Sequence, residues 1–159
     1  MIIRTAAAGD AAPIAALWNP WIETTAITFS TALKTSEGLA ADIAARGDAF
    51  LLAEADGALV GFATFFPFRG GPGYARTKEH TVILAPEARG RGVGRALMTA
   101  LEEVARSQRV HSLFAGVSAE NPAGVAFHAA IGFTEAARLP QVGHKFGRWM
   151  GLVLMQKFL

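Results

Sequence analysis

The sequence predicts an α/β (α+β) fold, a single domain over residues 1–159 with one sheet layered against about four helices. Three observations carry that prediction. Short apolar runs of strand length alternate along the chain with stretches whose apolar residues recur at helical spacing, an order that places helices on a sheet. No linker, internal repeat or low-complexity tract divides the 159 residues, a length that suits one domain. Hydrophobic residues make up 52% of the chain and charged residues 18%, which excludes a disordered protein.

Each element has a local reason. Ile2–Thr5 reads as the first strand. Asp10 is placed to cap a helix opening Ala11-Ala12-Pro13, where proline is tolerated in the first turn, and running to about Asn19. Thr35 or Ser36 begins a second helix that reaches about Arg46. Phe50–Glu54 and Leu59–Phe66 are apolar strands, and Ala55-Asp56-Gly57 between them is a hairpin signal. Arg69-Gly70-Gly71-Pro72-Gly73 is a loop, and Lys78–Leu84 is the next strand. A third helix has Val93, Leu97, Leu101 and Val104 on one face. Leu113–Val117 is a strand; Asn121-Pro122 then opens a helix with an N-cap and a proline at the first helical position, and Gly132 ends it. Trp149–Met155 is the final strand.

Composition removes several classes of function. There is no cysteine, so a disulfide framework, a thiolate metal site and a cysteine nucleophile are excluded. His80, His111, His128 and His144 are scattered without H-E-x-x-H spacing, and no metal is expected. The apolar run around Leu59–Phe68 is about half a membrane span and is interrupted by Gly61 and Pro67. The start, Met1-Ile2-Ile3-Arg4, lacks the charged-then-apolar order of a signal peptide. A cytoplasmic protein without a membrane partner is the expectation.

Charge is unevenly placed. Residues 1–75 carry four Lys/Arg against seven Asp/Glu, a net −3, and residues 76–159 carry eleven against six, a net +5. The basic half suits a phosphate-bearing ligand. Nucleic acid is not expected, because no Lys/Arg run with interleaved aromatics occurs.

The basic half also holds Arg89-Gly90-Arg91-Gly92-Val93-Gly94, between the strand ending at Leu84 and the helix from Val93. A glycine-rich turn leading into a helix leaves backbone N–H groups free at the positive end of the dipole, where an anion binds. The string is not a P-loop, for which G-x-x-x-x-G-K-[ST] is needed. It is not a Rossmann fingerprint either, since counting from Gly90 places the last glycine on Arg95.

Read as [Q/R]-x-x-G-x-[G/A] through Arg89, Gly92 and Gly94, the turn resembles the pyrophosphate-binding signature of the GNAT superfamily of N-acetyltransferases. The stretch from Asn121 to Phe133 resembles that superfamily's second motif, N-x-x-[A/S]-…-[Y/H]-x-x-x-G-[F/Y], with His128 where tyrosine is usual. Over most of the chain the likeness narrows. Asn19-Pro20-Trp21-Ile22-Glu23-Thr24, Phe29, Tyr74 and Glu79 look like the phosphinothricin acetyltransferases. The Glu79-His80 pair and Pro140–Trp149 look more like the methionine sulfone/methionine sulfoximine acyltransferases. Phosphinothricin enzymes tend to carry K-H-G-x-W-H-D here, whereas this chain has Phe146, Met150 and Gly151 where His, His and Asp would stand.

The resemblance implies a mixed, mostly antiparallel, twisted sheet that splays between its fourth and fifth strands. It implies acetyl-CoA as cosubstrate, with Arg89, Gly90, Arg91, Gly92, Val93, Gly94 and Arg95 around the pyrophosphate. Val82, Ile83 and Leu84 would follow the pantetheine through their main chain, Asn121 would contact that arm, and His128 would lie by the departing thiolate as a candidate proton donor. Glu79 matches the family's glutamate and is the candidate base, since an ammonium must lose a proton before it attacks. A backbone N–H near Val82 would stabilise the oxyanion. The acceptor site would draw on Phe29, Phe68, Arg69, Tyr74, Glu79, His80, Phe146 and Trp149, with Arg69 or Arg76 receiving an amino-acid carboxylate. A homodimer is implied, because in this family one subunit's C-terminal segment often completes its neighbour's pocket.

The expected reaction is direct acetyl transfer to the α-amine of a small, methionine-like amino acid in a ternary complex. Phosphinothricin as acceptor, a peptide or protein amine, and a non-catalytic CoA-binding module are the competing readings.

Overall fold

The structure, a computed structural model, describes residues 1–159. In chain order the elements are β1 (Ile2–Thr5), α1 (Ala11–Thr24), α2 (Ser36–Arg46), β2 (Phe50–Ala55), β3 (Ala58–Pro67) and β4 (Thr77–Leu84), then α3 (Val93–Ser107), β5 (Ser112–Ser118), α4 (Pro122–Ala130), β6 (Thr134–Lys145) and β7 (Arg148–Phe158). The strands form one seven-stranded sheet in the order β1-β2-β3-β4-β5-β7-β6. Every pairing is antiparallel except β4 with β5.

That one parallel pairing shapes the molecule. β4 and β5 are bonded only from Thr77↔Ser112 to His80↔Ala115. Beyond it, β4 stays paired with β3 through Leu84, while β5 follows β7 through Ser118. The sheet therefore splits, and Thr81–Leu84 present an unpaired edge to the wedge between them.

Because strand side chains alternate, the sheet has two cores. On one face Leu51, Ala63, Phe65, Leu113, Ala115 and Val153 pack against Leu97, Met98 and Leu101 of α3. On the other, Phe50, Leu52, Phe62 and Ile83 pack against Ile14, Trp18 and Ile22 of α1 and Leu39 and Ile43 of α2.

Three expectations are corrected. α1 runs on to Thr24 with Pro20 inside it, rather than stopping near Asn19. Beyond Pro20 the helix buries Ile22 on the Ile14 face, worth about 1.5–3 kcal/mol, and seats Trp21 with its indole bond to the Leu84 carbonyl. Together these offset the roughly 3 kcal/mol cost of an interior proline. Asp10 does not cap α1. Its carboxylate accepts two bonds from Arg4, both 2.8 Å, and one from the Ala7 N–H at 2.7 Å. The segment before Trp149 contains the unforeseen strand β6, an edge strand whose register shifts between Glu135 and Ala137 and between Leu139 and Gly143. An edge strand with Pro140 and Gly143 in it has no apolar alternation to read.

Candidate active site

The wedge widens into a cavity of about 750 Å³, lined from β4, the turn before α3, β5, the start of α4, α1 and the segment after α1. Its first wall is the glycine turn. Gly90 and Gly92 have φ of 71° and 81°, left-handed values that glycine adopts without strain. Gly92 stands at the N-cap of α3 with no side-chain cap. The first intrahelical bond goes from the Ala96 N–H to the Gly92 carbonyl, so the N–H groups of Val93, Gly94 and Arg95 are left for a ligand. At Gly94 a Cβ would stand 3.2 Å from the Phe127 ring of α4; glycine there lets the two helices close the cradle. These features fit a pyrophosphate, and the free edge of Thr81–Leu84 fits an extended amide-bearing arm laid beside it.

Trp21, which the sequence offered only within the Asn19–Thr24 likeness and not as a site residue, supports this wall. Its indole Nε1 donates to the Leu84 carbonyl at 3.2 Å, and the Arg89 guanidinium lies 4.5 Å from its ring centre. Only its place in a turn of α1 beyond Pro20 brings it there, and that turn lay outside the expected helix.

Glu79 stands where β4 and β5 begin to part, on the α1/α2 face of the sheet, opposite Phe66 and Phe114 in register. It is half-buried, and burial raises its carboxyl pKa above the ordinary 4.5. No Arg, Lys or His forms an ion pair with it, and Oε2 stands 3.5 Å from where a Cβ on Gly116 would lie. A carboxylate held this way is a stronger base than one in water.

His80 and His128 meet on the other face, Nε2 to Nε2, at 3.0 Å. His128 Nδ1 lies 2.7 Å from the Gly124 carbonyl. A carbonyl only accepts, so that nitrogen carries the proton in neutral His128, and His128 Nε2 then accepts from His80 Nε2–H. His80 Nδ1 is left buried without a partner. Burial, helped by the neighbouring ring, pushes the His80 pKa down to about 3; burial also lowers that of His128. Both rings are therefore neutral at pH 7, and neutral His128 holds no proton on the nitrogen that would face a thiolate.

Of the expected site residues, Phe29, Glu79, His80, Val82, Ile83, Leu84, Arg89, Gly90, Gly92, Val93, Gly94, Arg95, Asn121 and His128 line the cavity. Asn121 also caps α4, its side-chain oxygen accepting from the Gly124 N–H at 3.0 Å. Six do not line it. Arg91 is exposed on the turn. Phe68 stacks on Phe114 with ring centres 4.5 Å apart, and Arg69 lies over the exposed Tyr74 ring. Phe146 and Trp149 are 52% and 60% exposed on the β6–β7 hairpin. The cationic lining residues are Arg89 and Arg95, both beside the cradle. On the Glu79 face of the sheet the polar lining residues are Thr81 and Ser118, joined by Thr28 from the segment after α1.

No three His, Asp or Glu side chains are grouped to hold a metal ion, and no helix is long and apolar enough to cross a membrane.

Comparison with known proteins agrees with this geometry. Residues 16–133 match the acetyltransferase (GNAT) family. The L-methionine sulfoximine/L-methionine sulfone acetyltransferase of Pseudomonas aeruginosa is 37% identical over 158 residues, covering 97% of this chain and 92% of that one. Among solved structures, an acetyltransferase from Salmonella typhimurium with its cofactor acetyl-CoA superposes with a TM-score of 0.95 at 36% identity, covering 100% of this chain and 94% of that one. The ribosomal-protein-alanine N-acetyltransferase of Brucella melitensis superposes with a TM-score of 0.94 at 40% identity, covering both chains fully.

Proposed function

The chain belongs to the GNAT family of acetyltransferases, and from that premise we propose that it acetylates the α-amine of a small amino acid, with methionine sulfone and methionine sulfoximine as favoured acceptors. The observation that carries the reading is Glu79: a desolvated, unpaired carboxylate at the point where the sheet opens, in one cavity with the phosphate cradle. The methionine-analogue preference rests on the Glu79-His80 pair, the Pro140–Trp149 segment and the name of the Pseudomonas relative.

Acetyl-CoA, which this family uses, supplies an activated thioester. The N–H groups of Val93, Gly94 and Arg95, with Arg89 beside them, hold its pyrophosphate. The Thr81–Leu84 edge orients the pantetheine, and Asn121 borders it. Glu79 removes a proton from the acceptor ammonium, directly or through one water. The main-chain N–H of Val82 stabilises the oxyanion. The thiolate of CoA departs without help from His128, whose Nε2 is engaged by His80. In place of the proton-donor role expected from the sequence, His128 serves as a wall residue that orders α4 against β4.

Two finer points belong to the same proposal. Tyr74, Leu139, Val142, Phe146 and Trp149 are exposed apolar side chains, a pattern that supports a homodimer in which Phe146 and Trp149 serve a neighbour's acceptor site. A cytoplasmic setting follows from the use of acetyl-CoA.

Acylation of a protein N-terminus is the second reading, favoured by the name of the Brucella neighbour. CoA release measured across methionine sulfone, methionine sulfoximine, phosphinothricin, ordinary amino acids and alanine-starting peptides separates the two. Turnover concentrated on the methionine analogues is the expected result. Turnover of peptides alone would replace the proposal with the second reading.

A further inference from the structure

β6 is exposed along almost its whole length, yet Gly143 and Lys145 are buried. Two residues apart on a strand, they share a face, and both meet the segment between α1 and α2. Lys145 is only 3% exposed, and no carboxylate pairs with it. Its Nζ donates instead to the carbonyls of Thr25 and Thr28, at 2.8 and 2.9 Å. At Gly143 the Phe29 ring occupies the space a Cβ would need.

The partner segment is otherwise lightly held. Residues 25–35 form no helix or strand. At its far end, Asn19 exchanges two hydrogen bonds with Lys34, of 2.8 and 3.1 Å. Between those points Ile27, Thr28 and Phe29 line the cavity. The helices they connect pack on the sheet face that carries Glu79, opposite to the face covered by α3.

With two carbonyls and the Phe146 ring centre 5.1 Å away but no carboxylate beside it, burying this ammonium is costly, and the surrounding desolvation lowers the pKa of Lys145. Surface lysine serves an edge strand without that cost. A buried one is explained by what it fixes.

We infer that Lys145 is a positioning residue for the acceptor wall: together with Gly143 it pins residues 25–29 from the far end of the chain and so governs affinity for the acceptor amine rather than for acetyl-CoA. This rests on the amino-acid acetyltransferase reading above. The mechanism is pre-organisation. A wall that is in place only a fraction of the time weakens the apparent affinity by that fraction.

The test compares Lys145→Met, which keeps the length of the side chain and removes its donors, and Gly143→Ala, which displaces Phe29 and leaves the ammonium in place. For both, the acceptor KM is expected to rise on the order of tenfold while kcat changes far less. Acetyl-CoA Kd, measured by calorimetry, is expected to stay as in wild type. Backbone amide exchange over residues 26–31 is expected to quicken in Lys145→Met. An unchanged acceptor KM in both variants would overturn the inference. So would a loss of acetyl-CoA affinity in step with acceptor affinity, since that marks general unfolding. If wild type turns over no amino acid, the proposed function fails on its own. The exchange result then decides the clamp, and unaltered exchange over 26–31 would refute it.

Discussion

Glu79, the proposed base, is suited to that role by where it sits rather than by what it touches. With no cation beside it and half its surface removed from water, its charged form is disfavoured and its pKa rises above 4.5. A base must be ionised to act, so activity falls as pH drops through that raised value. The acid limb of the kcat/KM profile is expected above the ordinary carboxylate range, and a limb at or below 4.5 would contradict this environment. His128 makes the opposite case: it lies in the cavity with both ring nitrogens already engaged. Replacing it with phenylalanine is expected to cost less than about tenfold in kcat, below the 10²–10⁴ of a true proton donor. A larger loss, with acetyl-CoA still bound, would restore the donor role.

At the scale of elements, the cradle depends on glycine at the start of α3. Gly94 is buried against Phe127 of α4, so Gly94→Val is expected to push the helices apart and weaken acetyl-CoA binding on the order of tenfold or more. Calorimetric titration checks it, and an unchanged Kd would show that the cradle lies elsewhere. This element was legible in the sequence because its signal is local: a strand, a glycine turn and an amphipathic helix in succession. β6 was not, because an edge strand with Pro140 and Gly143 carries no period-two pattern. The last turn of α1 was hidden by Pro20, whose cost is outweighed by packing that only the folded chain provides. The wall role of Trp21, which borders both Arg89 and Leu84, was lost with that turn.

The whole molecule brings together residues that no local pattern connects. The Lys145 bonds to Thr25 and Thr28 span 120 and 117 positions, and the His80–His128 bond spans 48. The site was readable where a motif names its residues and unreadable where two exposed-looking segments meet. The histidine pair has a consequence for global stability. Both pKa values are lowered in the folded state, His80 to about 3 from the ordinary 6.5. Their contribution is thus complete above pH 6.5 and is lost as pH falls below it, for His80 down to about 3. Each histidine costs up to about 1.4 kcal/mol per pH unit. Thermal melts are expected to be level above pH 7 and to decline below 6.5. The double variant His80→Phe, His128→Phe is expected to lack most of that decline. Equal slopes in the two proteins would show that the rings are not buried as neutral partners.

The central claim is that Glu79, beside the cradle, deprotonates an amino-acid amine for acetylation. Its most direct test is the product formed from acetyl-CoA and a panel of free amino acids, identified by mass spectrometry for wild type and Glu79→Gln in parallel. The account predicts an α-N-acetyl amino acid with wild type. It predicts a rate lower by about 10²–10⁴ with the variant, at an undiminished affinity for acetyl-CoA. Equal product from both proteins, or acetyl-CoA binding with no amino acid acetylated, would contradict it.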